Sequence, residues 1–266
     1  MISELKPRTS AVNAQLWGGR ARDWAGLQEG QCRPVYLAAF ERLGLGPGWT
    51  HLDVGCGAGM AAQLSAVRGA TVHGLDASPN LLAIAQERLP SAEFLLGDLE
   101  ALPHPDDSFD LVTGFNSFQY AGNPGVALTE AKRVARPGGQ VLIMTWGEPE
   151  GMEAASLIRA LGPLMPPPPP GAPGPFALSD ETALRDFARG AGLDPLEVFD
   201  VPSPWHYADL KAALRGQLSS GVAARAVAHS GEEAVQAAIS RAMEPYRQPD
   251  GSYTIGASYR CLTAQA

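Results

Sequence analysis

The run "HLDVGCGAGM" at residues 51–60 constrains this chain more than any other stretch. Apolar and small residues around one acid, Asp53, read as the end of a buried strand. Gly55, Gly57 and Gly59 then crowd into five positions, and the helical pattern "MAAQLSAVRG" follows. A strand, a glycine turn and a helix in that order put the loop at the carboxyl end of a strand, where open α/β sheets bind ligands. Glycine accepts positive φ and lets a ligand lie against bare backbone. The N–H groups at the helix start are expected to face that ligand and to favour an anionic group. A purely structural tight turn is the other reading of the glycines taken alone.

The surrounding pattern decides which sheet this is. From about residue 50 to 146, "HLDV", "TVHGLD", "EFLLGD", "DLVTGF" and "QVLIMTW" recur as apolar runs separated by helical segments. Continuous apolarity of this kind marks strands covered on both faces, and the alternation predicts a parallel sheet between helices. Ser78-Pro79 and Asn123-Pro124 each offer a capping side chain followed by a proline at the first helical position. "RPGGQ" (136–140) is expected to end a helix and turn into the fifth strand. Residues 34–45 predict a helix with Val35, Leu37, Ala38, Phe40 and Leu43 near one side.

Beyond the core rhythm, "PLMPPPPPGAPGP" (163–175) forbids regular helix and reads as a stiff surface spacer, or as a ligand for an aromatic groove. Residues 180–193 predict a helix and 195–201 a strand. Leu210, Leu214 and Leu218 share one helical face, as do Val235, Ile239 and Met243. The end of the chain alternates, with Tyr253, Ile255, Ala257, Tyr259 and Cys261 on one side, which predicts a last strand returning to the sheet. The helices between are expected to form an inserted cap over 203–250.

Spacing and charge then narrow the ligand. A dinucleotide fingerprint requires G-x-G-x-x-G, whereas the third glycine here is Gly59 and the sixth position is Met60. Asp53 beside the loop would repel a pyrophosphate, while a zwitterion carrying an amino group would suit it. Asp76, at the end of the second strand, can accept both hydroxyl protons of a ribose. Asp98, at the end of the third, can accept from an exocyclic amine such as adenine N6, with the Leu99 N–H beside it. Each acid alone reads equally as a turn or helix cap.

Composition removes other classes. A formal charge of −8 with 20 Lys and Arg against 28 Asp and Glu leaves little attraction for nucleic acid or anionic lipid. Three separated cysteines, Cys32, Cys56 and Cys261, suggest neither a disulfide framework nor a zinc site, and a cytoplasmic location is expected. No export signal, membrane span or metal site is predicted.

In "LDVGCGAG", "GLDAS", "GDLEALPHPDDSFDLVTGF" and "RVARPGGQVLI" the chain resembles the class I S-adenosylmethionine-dependent methyltransferases, within the type 11 and ubiquinone/menaquinone methyltransferase-like group. The resemblance covers roughly residues 34–146. It implies an α/β, Rossmann-like fold with a seven-stranded, mostly parallel sheet of order 3-2-1-4-5-7-6, helices on both faces and a small helical cap. The implied cofactor is S-adenosyl-L-methionine and the product S-adenosyl-L-homocysteine. The implied cofactor residues are Asp53, Gly55, Cys56, Gly57 and Gly59 around the loop, Asp76, Ala77 and Leu81 at the second strand, Asp98, Leu99 and Glu100 at the third, and Asn116 after the fourth. Helices preceding the core close over the cofactor in that family. Trp24 and Arg33, in and after "WGGRARDWAGLQEG", are the candidates here, with structural anchoring of the arm as the alternative. The expected organisation is an arm over 1–44, a core over 45–202 with 251–266, and a cap over 203–250.

The acceptor is the least legible part. Methyl transfer from a sulfonium needs alignment more than a covalent intermediate. If a proton must be removed, His206 in "SPWHYADL" is the candidate base, with a packed histidine as the alternative. Phe118, Tyr120, Trp146, Trp205 and Tyr207 are expected to line an apolar pocket for a small-molecule acceptor, or else to be core. "FNSFQY" (115–120) lacks the N-P-P-Y type of sequence found in base-amine methyltransferases of DNA. A non-catalytic binder of the same cofactor and an NAD(P)-dependent oxidoreductase are the competing readings.

Overall fold

The computed structural model describes residues 9–167 and 174–266. The start of the expected arm and part of the proline stretch, 168–173, lie outside the described residues. Among the described residues nine strands form: β1 (Thr50–Val54), β2 (Thr71–Asp76), β3 (Glu93–Leu96), β4 (Phe109–Phe115), β5 (Ala135–Trp146), β6 (Asp194–Pro202), β7 (Trp205–Tyr207), β8 (Tyr253–Ile255) and β9 (Ser258–Gln265). Seven of them make one sheet in the order β3-β2-β1-β4-β5-β9-β6, and β7 pairs with β8 apart from it. Strands β1 to β5 run parallel, while β9 is antiparallel to both β5 and β6. With β9 as the sheet's seventh strand, this is the expected topology.

The helices are α1 (Ser10–Gly18), α2 (Ala21–Asp23), α3 (Arg33–Arg42), α4 (Met60–Val67), α5 (Pro79–Arg88), α6 (Pro124–Val134), α7 (Ala154–Leu161), α8 (Glu181–Gly190), α9 (Leu210–Leu218), α10 (Gly221–Ser230) and α11 (Glu232–Met243). Strand alternation sorts them onto the two faces of the sheet. Leu52 and Val54 of β1 join Val112, Val141, Ile143 and Leu262 against α6 and α8. Leu111, Leu142, Met144 and Cys261 pack on the other face with Phe40 of α3 and Ala61 of α4. The capping residues behave as read, since Ser78 Oγ accepts from Leu81 N–H at 3.3 Å and Asn123 Oδ1 from Val126 N–H at 3.4 Å.

Three expectations change. β5 begins at Ala135 rather than 140, because Ala135 pairs with Phe109 before a register shift over the "RPGG" segment. The alternating tail is two strands and not one. At its break, Gly256 N–H donates to the Glu153 carboxylate and the Ala257 carbonyl accepts from Ser203 N–H at 2.8 Å, which turns the chain from the β7–β8 ribbon into the sheet. The cap, finally, is not confined to 203–250. Leu157 and Leu161 of α7 share a buried cluster with Trp205, Leu218, Val235, Ile239 and Tyr253, so a segment assigned to the core packs with the cap. Helix α10, Ala-rich and without a wide apolar stripe, was not anticipated.

The arm bridges these two bodies. Asn80 Nδ2 donates to the Gly18 carbonyl at 3.0 Å on the core side, and Tyr207 Oη to Gln28 Oε1 at 2.6 Å on the cap side. Arg20 pairs with Glu232, and Asp23 with Arg215, across the same seam. Between α2 and α3 the chain runs through a π-helical turn, Trp24–Gln28, and a 3-10 turn, Glu29–Cys32. Among the described residues no helix is long and apolar enough to cross a membrane.

Candidate functional site

The carboxyl ends of β3, β2, β1 and β4 open, side by side, into a cleft with about 820 Å³ of empty space, part of it open to solvent. The strand order assigns its parts: Asp98 and Leu99 follow β3, Asp76 and Ala77 end β2, Gly55 and Gly57 follow β1, and Phe115 and Asn116 end β4. The arm roofs it with Asn13, Trp17 and Trp24. Trp17 stands edge-on to Trp24 at 5.0 Å and to Tyr120 at 5.3 Å between centroids. Asn13 Nδ2 donates to the Tyr120 carbonyl at 2.8 Å, which ties α1 to the segment after β4.

The glycine loop is set by its neighbours. Gly55 and Cys56 N–H both donate to the Leu75 carbonyl, at 2.7 and 3.0 Å. Gly57 N–H donates to Asp76 Oδ2 at 2.9 Å, and Ser78 N–H to Asp76 Oδ1 at 2.8 Å. Gly55 has φ of +75°, and a Cβ there would sit 2.5 Å from that of Ser117. Gly57 has φ of +55°, and a Cβ there would point at Trp24 Nε1, 3.5 Å away, filling the floor beneath the roof.

The helix start differs from expectation. Gly59 N–H is held by the Cys56 carbonyl at 2.9 Å, and Met60 N–H by Glu29 Oε1 at 3.1 Å. Glu29, from the arm and 3% exposed, thus caps α4 from outside, while its Oε2 meets Arg88 Nη1 at 2.6 Å. The same Arg88 nitrogen donates to the Ala58 carbonyl at 2.7 Å. The slot where a diphosphate would bind a helix N-terminus is therefore filled by the protein's own carboxylate. Burial pushes the Glu29 carboxyl up, opposed by Arg88.

Asp53 also differs. It is 2% exposed and does not line the cleft, accepting instead from Thr113 Oγ1 at 2.8 Å. Thr113 Oγ1 is 2.8 Å from His51 Nε2, and His51 Nδ1 is 2.9 Å from Ser65 Oγ, so a buried polar chain runs under the loop. Burial holds His51 neutral, its pKa lowered to about 3, and raises the Asp53 carboxyl to about 7.

Of the residues expected at the cofactor, the structure gathers Trp24, Gly55, Gly57, Asp76, Ala77, Leu81, Asp98, Leu99 and Asn116 around the cleft. Cys56, Gly59 and Glu100 shape the loops behind it; Glu100 N–H donates to Asp98 Oδ1 at 2.9 Å. Arg33 is exposed at the start of α3, because the helix turns its apolar side inward. Of the residues expected at the acceptor, Tyr120 lines the cleft. Phe118 packs under Gly114, Trp146 stacks on Tyr259 at 5.0 Å, and Trp205 Nε1 donates to Tyr259 Oη at 3.2 Å. Tyr207 Oη is occupied by Gln28 and Gln217. His206 lies outside the cleft, since alternation along β7 turns Trp205 and Tyr207 inward and His206 outward, against Thr254 Oγ1 at 3.2 Å. Sequence reasoning missed Glu29, Cys32 and Tyr36, which carry no spacing signal.

Two features test the fit to an adenosyl amino acid. Asp98 Oδ2 is buried without a hydrogen-bond partner, although its carboxylate belongs to the cleft lining. Such a group costs free energy unless a donor meets it, and an exocyclic amine supplies one. Each Asp76 oxygen, already fixed by a backbone N–H, keeps a lone pair for a ribose hydroxyl. Burial raises the Asp76 carboxyl, against the N–H groups of Ser78, Gly57 and Ala77. Among the described residues there is no cluster of metal-ligating side chains.

Residues 52–143 match the family described as a methyltransferase domain. The chain is 32% identical over 149 residues to a demethylmenaquinone methyltransferase of Renibacterium salmoninarum, covering 56% of this chain and 58% of the relative. It is 39% identical over 106 residues to a malonyl-[acyl-carrier protein] O-methyltransferase of Serratia marcescens, covering 39% and 42%. The matches thus span about half the length of these relatives. Among solved structures, a putative methyltransferase from Bacillus halodurans aligns with a TM-score of 0.56 at 16% identity, over 86% of this chain and 97% of that one. The [4+2]-cyclase SpnF aligns with a TM-score of 0.55 at 22% identity, over 87% and 79%.

Proposed function

We propose that this chain, whose residues 52–143 match a methyltransferase domain, is a class I S-adenosylmethionine-dependent methyltransferase that transfers a methyl group from S-adenosylmethionine to a small-molecule acceptor in the cytoplasm. The observation that carries the reading is the row of three strand ends: an orphaned Asp98 oxygen, a braced Asp76 carboxylate and a side-chain-free loop at Gly55 and Gly57. In that row Asp98 and the Leu99 N–H take the adenine, Asp76 the ribose hydroxyls, and the loop the amino acid part. Bound there, the cofactor supplies a methyl group already activated on a sulfonium. The chain's own work is alignment and exclusion of water. Trp17, Trp24 and Asn13 close the roof, and the Asn116 backbone, at φ of +56°, presents the end of β4 to the reacting region.

An NAD(P) enzyme is disfavoured because the loop and helix-start N–H groups of Gly55, Cys56, Gly57, Gly59 and Met60 already have protein acceptors. A second reading is the same cofactor bound without methyl transfer. The relatives' names, a demethylmenaquinone methyltransferase and a malonyl-[acyl-carrier protein] O-methyltransferase, support a metabolite or carrier-bound acyl acceptor over a nucleic acid. Incubating the protein with methyl-labelled cofactor and fractionated small-molecule extract separates the readings. Label passing to an extract component is the expected result, and label remaining wholly on the cofactor with every fraction would leave the non-catalytic reading.

A further inference from the structure

Taking the reading above as its basis, we infer that the acceptor is an oxygen acid bound as its resonance-stabilised anion, a phenolate, enolate or carboxylate, held by the hydroxyl groups of Tyr36 and Tyr120 and facing the sulfonium. The placement comes from the sheet. With adenine at β3, ribose at β2 and the amino acid at β1, the space left for an acceptor is at β4 and beyond, where Cys32, Tyr36, Phe115, Asn116 and Tyr120 line the cleft.

The donors there are short of acceptors. The Trp146 and Asn116 side chains lie beside the Tyr120 hydroxyl. Indole N–H is a donor only, and Asn116 Oδ1 is already occupied by Gln119, so its amide N–H is what faces Tyr120. Both neighbours thus present donors and not acceptors to Tyr120, and its own O–H is left to give. Tyr36, 7% exposed, has the Cys32 sulfur as its neighbour, and sulfur is a weak acceptor. Two phenol O–H groups without a strong acceptor at one end of a cleft form a seat for an oxyanion.

Charge favours the same occupant. The carboxylates lining the cleft, Asp76 and Asp98, sit at its adenosine end, and among the described residues no histidine, lysine or arginine lines it. Behind the acceptor end lie Tyr259, Glu29 and Asp53; Glu29 is paired with Arg88, and burial pushes the Asp53 carboxyl up to about 7. Burial also keeps the Cys32 thiol and both phenols protonated, with Cys32 raised to about 11 and Tyr120 to about 12, so they donate rather than abstract. An ammonium acceptor would have to lose a proton to a base that this end lacks, and its product would stay charged. An anion beside a sulfonium gives an ion pair, which offsets the cost of burying either charge alone. The acceptor's lone pair forms the bond to the methyl carbon as the carbon–sulfur bond breaks and leaves its pair on sulfur. Both charges vanish and no proton moves.

4-Nitrophenol tests this, because its phenolate and phenol differ in visible absorption. Protein loaded with S-adenosylmethionine is expected to bind it as phenolate below the probe's free pKa, with initial amplitude read before any methylation. Loading with S-adenosylhomocysteine, which lacks the sulfonium, should lower the bound phenolate fraction. Tyr36→Phe/Tyr120→Phe should reduce the phenolate-to-phenol ratio of bound probe by about tenfold or more, the scale of hydrogen bonds to a charged group. If that double variant no longer binds S-adenosylhomocysteine, Tyr120→Phe alone is read, with a smaller loss in the same direction. Cofactor-competent protein that binds the probe as neutral phenol, takes up none, or keeps its phenolate ratio in the Phe variant overturns the inference. Failure to bind S-adenosylhomocysteine at all overturns the cofactor reading instead.

Discussion

Single side chains at this site are held in states they would not choose in water. Asp98 is the plainest case: Asp98→Asn keeps the Oδ1 contact with Glu100 N–H but replaces the orphaned oxygen with an amide N–H aimed at another donor. Affinity for S-adenosylhomocysteine should fall on the order of 10- to 100-fold with little change in Tm; unchanged affinity in calorimetry would remove adenine from that end. Asp53 makes a prediction about pH. Its native carboxyl holds a proton up to about 7, against an ordinary value of 3.8. Between those values the native state binds more protons than the unfolded chain, so this contribution to stability is lost as pH rises towards 7. Asp53→Asn keeps the Thr113 bond and should narrow the gap in Tm between about pH 5 and about pH 8; Glu29 and Asp76, shifted in the same direction, leave a residual slope. An equal gap in variant and wild type would contradict the assignment. Asp53 also shows the limit of reading residues singly. Its position beside the loop suggested the ligand, but alternation along β1 turns it, with His51, onto Thr113 of β4.

At the scale of elements, the glycine loop and the helix it opens depend on a residue 31 positions before Met60. Glu29 reaches α4 from the arm, and Arg88 of α5 locks it there. Arg88→Ala would leave a buried carboxylate unpaired and should cost about 3–5 kcal/mol, read as a fall in Tm. Glu29→Gln/Arg88→Ala should recover part of it, and a double-variant cycle with no coupling would show that the pair does not act as a unit. The strands, the capped helices and the acids at strand ends were legible because their signals are local: short apolar runs, Ser-Pro and Asn-Pro, and turn glycines. Glu29, Tyr36 and Cys32 were not, because packing of the arm brings them to the site. His206 fails for a related reason. Its aromatic neighbours are buried in the ribbon, and the same period that buries them expels it.

The whole molecule is a sheet with a cap beside it and an arm joined to both. The sheet order followed from a resemblance covering its first five strands, and β9 then entered antiparallel between β5 and β6. The cap's real boundary was hidden, because α7 reads as one more helix of the rhythm until its Leu157 and Leu161 meet Val235 and Ile239. Since Trp17 and Trp24 roof the cleft while Arg20 and Asp23 anchor the arm to the cap, ligand in the cleft should slow amide exchange across α1 and the π-helical turn, not at the strand ends alone. Exchange unchanged in 10–28 on saturation would mean that the arm is not a roof. All of this depends on the three adjoining strand ends being a seat for an adenosyl amino acid. Titration calorimetry of S-adenosylhomocysteine tests that most directly: saturable binding in the micromolar range, roughly −8 kcal/mol, is predicted for the wild type, with severe loss in Asp76→Ala and no heat from NADH. No heat from S-adenosylhomocysteine, or equal affinity in Asp76→Ala, would contradict it.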